Sequence, residues 1–283
     1  ITGLAFMLAG IMVKAGVFPV HIWLPAAYSF APSAVSSLLA AVATKVAIYY
    51  FARLLFGIFA DITLLVEFFL LYILMPVSII GIFFGTIAAI YQTDLKRLFA
   101  LSSIAQIGYI TLAFSLNSHS GISAGFIHII NHALIKGSIF MAIGIFAFGI
   151  GKRATMTSMQ GVGRQMPITF AGFVVAGLAL VGMPLTAGFI SKLYLFKALF
   201  ETNNGILVAI IAFSSVLSVL YLWKIFEVMW LKEPTKPLKI EKEPIMAYLP
   251  VWMMVAVIVV FGVYSNDIVM SGIGAANALI GAN

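Results

Sequence analysis

The chain has 283 residues, of which 63% are hydrophobic and 9% are charged. Soluble domains carry roughly a quarter charged residues. Together with a mean hydropathy of +1.14, this composition excludes a soluble or disordered protein and indicates a polytopic membrane protein. The absence of cysteine excludes disulfides, thiolate metal sites, iron–sulfur ligation and cysteine nucleophiles on this chain.

Apolar stretches of about 20 residues, the length needed to cross a bilayer, recur along the chain. We predict an all-α protein with about eight transmembrane spans, at 1–28, 33–58, 64–90, 96–116, 121–150, 168–200, 205–231 and 246–265. The first and sixth contain Gly–Pro breakers, at 15–19 and 182–188, and are predicted to be discontinuous helices. Residues 267–281 are short and Gly-rich and are expected to form a surface tail.

The basic residues between spans all fall on alternate loops. They are Lys96, Arg97, Lys152, Arg153, Arg164, Lys232, Lys236, Lys239 and Lys242. The loops at 59–63, 117–120 and 201–204 hold no Lys or Arg. The positive-inside rule then places the basic loops in the cytoplasm and both ends outside, in a cytoplasmic (inner) membrane. This pattern explains most of the net charge of +7 without a nucleic-acid partner.

The spacing of the two broken spans predicts an internal repeat, because each would be the fourth element of a five-helix unit. Residues 63–231 would form one complete unit. Residues 1–62 would form the end of an earlier, inverted unit, so we expect the chain to be part of something longer. A cytoplasmic loop at 232–245 and a last span with a short tail at 246–283 complete the predicted organisation.

Four lysines interrupt the apolar spans: Lys14, Lys45, Lys136 and Lys192. An ammonium at the bilayer centre costs roughly 2.5–3.5 kcal/mol on insertion scales, so these lysines are expected to face the protein interior and to have a function. The alternative for Lys14 and Lys192 is a structural lysine in polar surroundings at a broken helix.

His128, His132 and Lys136 are spaced i, i+4, i+8 on the fifth span. This spacing places them on one helix face over about 12 Å of membrane depth. A buried line of titratable groups is suited to proton relay. The alternative is a pair of core histidines and one buried lysine. The sequence holds no metalloprotease motif, no paired carboxylates within a span and no phosphate-binding loop, so we expect no metal and no cofactor on this chain.

Four motifs, in order, resemble the antiporter-like subunits of respiratory complex I, a family that includes Mrp-type sodium/proton antiporters and membrane-bound hydrogenase subunits. The first runs from Lys14 through Pro19, His21, Trp23 and Pro25. The others are Asp94–Tyr109, His128–Lys136 and Gly182–Lys192. The resemblance covers nearly the whole chain, which would match spans seven to fourteen of about fourteen.

The resemblance implies proton-relay roles for Lys14, Lys45, His128, His132, Lys136 and Lys192. It also implies a glutamate on an earlier span that pairs with Lys14, and no such span is present in this sequence. That helix could belong to an absent segment or to another chain, or the first half-channel could be inactive.

The implied function is proton translocation in a redox-driven complex of the complex I or membrane-bound hydrogenase type. The expected partners are other membrane subunits and redox subunits with iron–sulfur or nickel centres. The alternatives are a subunit of an Mrp-type sodium/proton antiporter and a structural spacer with a degenerate channel.

Overall fold

The computed structural model describes residues 2–234 and 245–280, and the regular secondary structure there is helical. Six of its helices are long and apolar enough to cross a membrane. The helices are α1 (Thr2–Ala15), α2 (Trp23–Phe30), α3 (Ser33–Ile58), α4 (Thr63–Ile90), α5 (Leu95–Ser115), α6 (His119–Ile150), α7 (Val162–Gln165), α8 (Pro167–Val181), α9 (Ala187–Glu201), α10 (Gly205–Leu231), α11 (Ile245–Val263) and α12 (Asn266–Ile280).

Helices α5 and α6 form the centre of the bundle. Residues 98–115 of α5 are buried on every side. Around α6 pack α3, α5, α8, α9, α11 and α12. A helix that is enclosed by protein does not need an apolar surface all round, and this is why polar side chains can occur on α5 and α6 within the membrane.

Both predicted breaks are present, so the expectation of two discontinuous helices is confirmed. The first separates α1 from α2, and Gly16 opens it with a φ of +74°. The second separates α8 from α9, with Gly182 at a φ of +96° and Leu185 at +69°. The left-handed conformation that ends α8 carries little strain at glycine, because glycine has no Cβ.

The expectation of a surface tail after residue 266 is wrong. Residues 266–280 form α12, which packs lengthwise against the first half of α6. A Cβ at Gly272 would lie 3.0 Å from the Ser123 carbonyl oxygen, and His119 hydrogen-bonds to Asn277 over 2.6 Å. The small residues that suggested a loose tail instead allow close approach of two helices.

The basic loops gather at one end of the bundle. Arg153 pairs with Asp94 over 3.0 Å, and Arg164 donates to the Leu231 carbonyl over 2.7 Å. Lys224 donates to the Ile90 carbonyl over 2.9 Å, which ties α10 to the turn before α5. This clustering is the arrangement that the positive-inside pattern requires. Lys236, Lys239 and Lys242 of the predicted 232–245 loop lie outside the described residues, and the four-part division of the chain remains a prediction.

Candidate functional site

The predicted stripe on α6 is buried in the centre of the bundle. His128, His132 and Lys136 are 5%, 1% and 0% exposed. Helical periodicity places them on one face, and that face meets α5 and α9. The three side chains therefore form one continuous titratable row inside the protein.

Lys136 is held by α5. Its Nζ donates to the Phe99 carbonyl over 2.8 Å and to the Ser102 hydroxyl over 2.5 Å. The same Nζ lies 5.3 Å from the centroid of the Phe99 ring. All of these partners are neutral, so the lysine is fixed in position without an ion pair.

His128 joins three helices. Its Nδ1 lies 2.9 Å from the Ser191 hydroxyl on α9, and its Nε2 lies 3.0 Å from Oε1 of Gln106 on α5. The ring of His132 stacks on it with centroids 6.0 Å apart and planes 10° apart. Neither ring nitrogen of His132 has a hydrogen-bond partner among the described residues.

Lys192 sits at the second helix break. Its Nζ donates to the carbonyl of Val181, the last residue of α8, over 2.6 Å and to the Ser215 hydroxyl over 2.9 Å. The last carbonyls of a helix have no partner within that helix and favour a nearby cation. A Cβ at Gly182 would lie 2.8 Å from Cδ of Lys192, so the break also makes room for the lysine side chain.

Lys45 on α3 is buried and donates to the Ala40 carbonyl within its own helix. A π-helical stretch at Leu39–Ala43 precedes it, and such stretches leave the regular hydrogen-bonding pattern of the helix. On the other side of the row, Nζ of Lys192 lies 5.2 Å from the centroid of the Tyr109 ring, and that ring meets the His128 ring edge-on with centroids 5.9 Å apart. The structure thus buries five of the six predicted relay residues within the bundle: Lys45, His128, His132, Lys136 and Lys192.

Lys14 does not join this set. It lies exposed in the last turn of α1 and has no partner among the described residues. Helix α1 packs against α3, which leaves the face with Lys14 uncovered. His21 of the first motif is buried in the first gap and stacks on Phe18 with ring centroids 5.3 Å apart.

No acidic side chain is buried among residues 2–234 and 245–280. The ion pairs of this region are exposed or partly exposed, and they join Arg153 to Asp94, Lys197 to Glu201 and Lys232 to Glu227. Burying an ammonium without a counter-ion costs several kcal/mol. The central lysines are therefore bonded in a way that holds the side chain but does not compensate its charge.

Several residues complete the site although the sequence predicted no role for them. Ser102, Gln106 and Tyr109 lie on one face of α5, and Ser191 and Ser215 reach the site from α9 and α10. The i, i+4, i+7 spacing of Ser102, Gln106 and Tyr109 is the sequence pattern that would have placed them on one face of α5. In the described part of the chain, no three His, Asp or Glu side chains are grouped as a metal site.

This arrangement of broken helices around a buried Lys–His row can be compared with known proteins. The family described as "NADH:quinone oxidoreductase/Mrp antiporter, TM" matches residues 1–218. The chain belongs to this family.

Relatives of this chain are named as subunits of NADH-quinone oxidoreductase and of F(420)H(2) dehydrogenase. The chain is 34% identical over 282 residues to NADH-quinone oxidoreductase subunit N of Desulforudis audaxviator, an alignment that covers 95% of this chain and 56% of that protein. It is 30% identical to F(420)H(2) dehydrogenase subunit N of Methanosarcina mazei, over 99% of this chain and 58% of that protein. The chain thus spans about half the length of the curated relatives that it matches.

Solved structures agree with this assignment. A chain of the membrane-bound sulfane sulfur reductase, an archaeal respiratory membrane complex, matches with a TM-score of 0.84 and 31% identity, over 98% of this chain and 55% of that one. A chain of the Mrp complex from a Dietzia species matches with a TM-score of 0.91 over 99% of this chain and 59% of that one. Its identity is 23%, so that likeness concerns the fold alone. The chain is a multi-pass membrane protein of the antiporter-like type, and its relatives are parts of multi-subunit complexes.

Proposed function

We propose that this chain moves protons across the membrane as the antiporter-like subunit of a redox-driven energy-converting complex of the complex I or membrane-bound hydrogenase type. The observation that carries the proposal is the buried set of Lys45, His128, His132, Lys136 and Lys192, enclosed by protein and lacking a buried carboxylate among the described residues. A purely structural lysine would be stabilised by an ion pair, because an unpaired buried charge is expensive.

In the proposed relay, Lys136 and Lys45 exchange protons with the histidine pair, and Lys192 is the last group. Each lysine is oriented by carbonyl or hydroxyl oxygens, which accept hydrogen bonds but do not neutralise the ammonium. Because like charges disfavour one another when they are buried close together, a proton that arrives at one group favours release from its neighbour. The redox chemistry would reside on partner subunits with iron–sulfur or nickel centres, and the basic loops would face the cytoplasm, with both ends outside the inner membrane.

Two observations favour this function over a subunit of an Mrp-type sodium/proton antiporter. The relatives with 30% identity or more are named as subunits of redox complexes. Sodium usually takes carboxylate or carbonyl oxygens as ligands, whereas the buried set here consists of lysines and histidines, and the carbonyls beside Lys45, Lys136 and Lys192 accept hydrogen bonds from them. A structural spacer, the remaining alternative, would tolerate loss of the whole row.

The test is proton pumping by the intact complex in proteoliposomes, measured as protons moved per electron transferred. Lys192→Gln should lower this ratio strongly while electron transfer in uncoupled vesicles continues. Lys197→Gln on the same helix is the matched control, because Lys197 is exposed and pairs only with Glu201. Wild-type pumping by both variants would contradict the relay and favour the structural spacer. Pumping that requires sodium in the medium would indicate the antiporter function.

A further inference from the structure

A cleft of about 620 Å³ opens at the basic end of the bundle. It lies between the corner that joins α2 to α3, the start of α5 and the end of α6. Its lining extends to Gly144, about 9 Å along the helix axis from the end of α6. The side chains of the buried lysine–histidine set do not line it, so the cleft is separate from the proposed proton relay.

The cleft carries an excess of positive charge. Lys96, Lys152 and Arg153 line it, and Asp94 is the one acidic side chain among its described lining residues. Arg153 pairs with Asp94 over 3.0 Å, which leaves the two lysines without a carboxylate. Three cations and one carboxylate give a net charge of +2, so the cleft attracts an anion.

Each of the three cations has N–H groups that remain free for a ligand. Nζ of Lys96 donates to two oxygens, the nearer of which is the Ala31 carbonyl at 2.9 Å, and keeps a third proton. Arg153 uses one of its five N–H groups for Asp94. Lys152 is exposed, and its ammonium forms no hydrogen bond or ion pair with the described residues. A phosphate group, whose charged oxygens accept several hydrogen bonds, matches this set of donors.

Two exposed aromatic rings indicate what the phosphate is attached to. Phe30 and Phe148 line the same cleft and are 78% and 63% exposed. The Arg153 guanidinium lies over the Phe30 ring, 5.4 Å from its centroid, so the cationic and apolar surfaces adjoin. A free phosphate would use the cations alone. A phospholipid would also cover the two rings with the start of an acyl chain, which removes their apolar surface from water.

We propose that this cleft binds the head group of an anionic phospholipid, with Lys96, Lys152 and Arg153 around the phosphate and an acyl chain against Phe30 and Phe148. Basic pockets between transmembrane helices are suited to such head groups. A zwitterionic lipid presents the same phosphate but adds a cation of its own, which the net positive charge of the cleft repels. The bound lipid holds the corner between α2 and α3 against the end of α6.

The test is photo-cross-linking of the intact complex in phosphatidylcholine vesicles. The vesicles contain a trace of phosphatidylglycerol or of phosphatidylcholine, each with a diazirine near the glycerol end of one acyl chain. The phosphatidylglycerol probe should label peptides that contain Phe30 or Phe148, as detected by mass spectrometry. Unlabelled phosphatidylglycerol should displace it, whereas inorganic phosphate at matched ionic strength should not.

Three results of this experiment would overturn the proposal. Equal labelling by both probes would show that the cleft does not select an anionic lipid. Displacement by inorganic phosphate would show a site for a free anion. Absence of label on both peptides would show that a protein segment, and not a lipid, covers the cleft.

Substitutions of Lys152 test whether the cations bind the lipid. Lys152→Gln should lower the label about fivefold and Lys152→Glu roughly 25-fold, because each unit of charge near the membrane surface changes anionic-lipid binding by about fivefold. Arg97→Gln and Arg97→Glu are the matched controls, since Arg97 is exposed at the same end of the bundle but does not line the cleft. They should label within about twofold of wild type. An equal loss of label in the Lys152 and Arg97 variants, at equal subunit abundance, would also overturn the proposal.

Discussion

Replacing Lys136 with methionine should separate the functional role of this lysine from any structural role. Methionine is unbranched, has a similar length and carries no charge, so it fills the site without leaving a large cavity. The change removes the hydrogen bonds of Nζ to the Phe99 carbonyl and the Ser102 hydroxyl. The Phe99 carbonyl remains satisfied, because the hydroxyls of Ser102 and Ser103 donate to it over 3.0 and 2.9 Å.

The expected change in stability is small because two opposing contributions are of similar size. Each lost bond to a charged donor is worth about 1.5–3 kcal/mol. Removal of an ammonium buried without a counter-ion recovers several kcal/mol of desolvation. The net effect on the free energy of unfolding should lie within about 2 kcal/mol in either direction. Lys136→Ala, in contrast, also leaves a cavity and should cost a further 2–5 kcal/mol or so.

Proton pumping by Lys136→Met should be abolished or greatly reduced, because no proton can bind at this position. Protons per electron would be measured in proteoliposomes, and subunit abundance and the thermal midpoint of the complex would be measured on the same preparations. Loss of pumping with normal assembly is the expected result. Wild-type stoichiometry would refute the relay argument, and failure of the methionine variant to assemble would show that the ammonium stabilises the fold.

Three other predictions concern proton exchange at Lys136, helix packing at Gly188 and the membrane topology. Lys136→Arg should pump poorly although it keeps the charge, because a guanidinium does not release its proton in a protein; near-normal pumping in proteoliposomes would contradict proton exchange at this position. Gly188→Ala should lower the free energy of unfolding by about 3 kcal/mol or more, because a Cβ there would overlap the Ala179 carbonyl oxygen. Subunit abundance on an immunoblot should fall accordingly, whereas Gly10→Ala, with nothing within 4 Å of the added Cβ, should leave it unchanged. With no native cysteine in the chain, Lys152→Cys should react with an impermeant maleimide from the cytoplasmic side and Asp61→Cys only from the opposite side; the reverse pattern would invert the proposed topology.

The sequence alone was sufficient for the class of protein, the helical spans and both breaks. Composition excludes a soluble chain because solvation depends on the balance of polar and apolar groups. The breaks follow from local backbone chemistry, since Gly16 and Gly182 take up left-handed conformations that few other residues tolerate. The stripe of His128, His132 and Lys136 was equally accessible, because residues four apart on a helix always share a face.

Tertiary structure decided which side chains meet. Gln106 and Ser191 are 22 and 63 residues from His128 in sequence, yet both contact its ring. Lys14 and Lys192 look alike in the sequence, as lysines beside a broken helix, but only Lys192 is enclosed and bonded. A helical pattern determines which residues share a face but not which neighbour that face turns towards, because rotation about the helix axis depends on packing against the other helices.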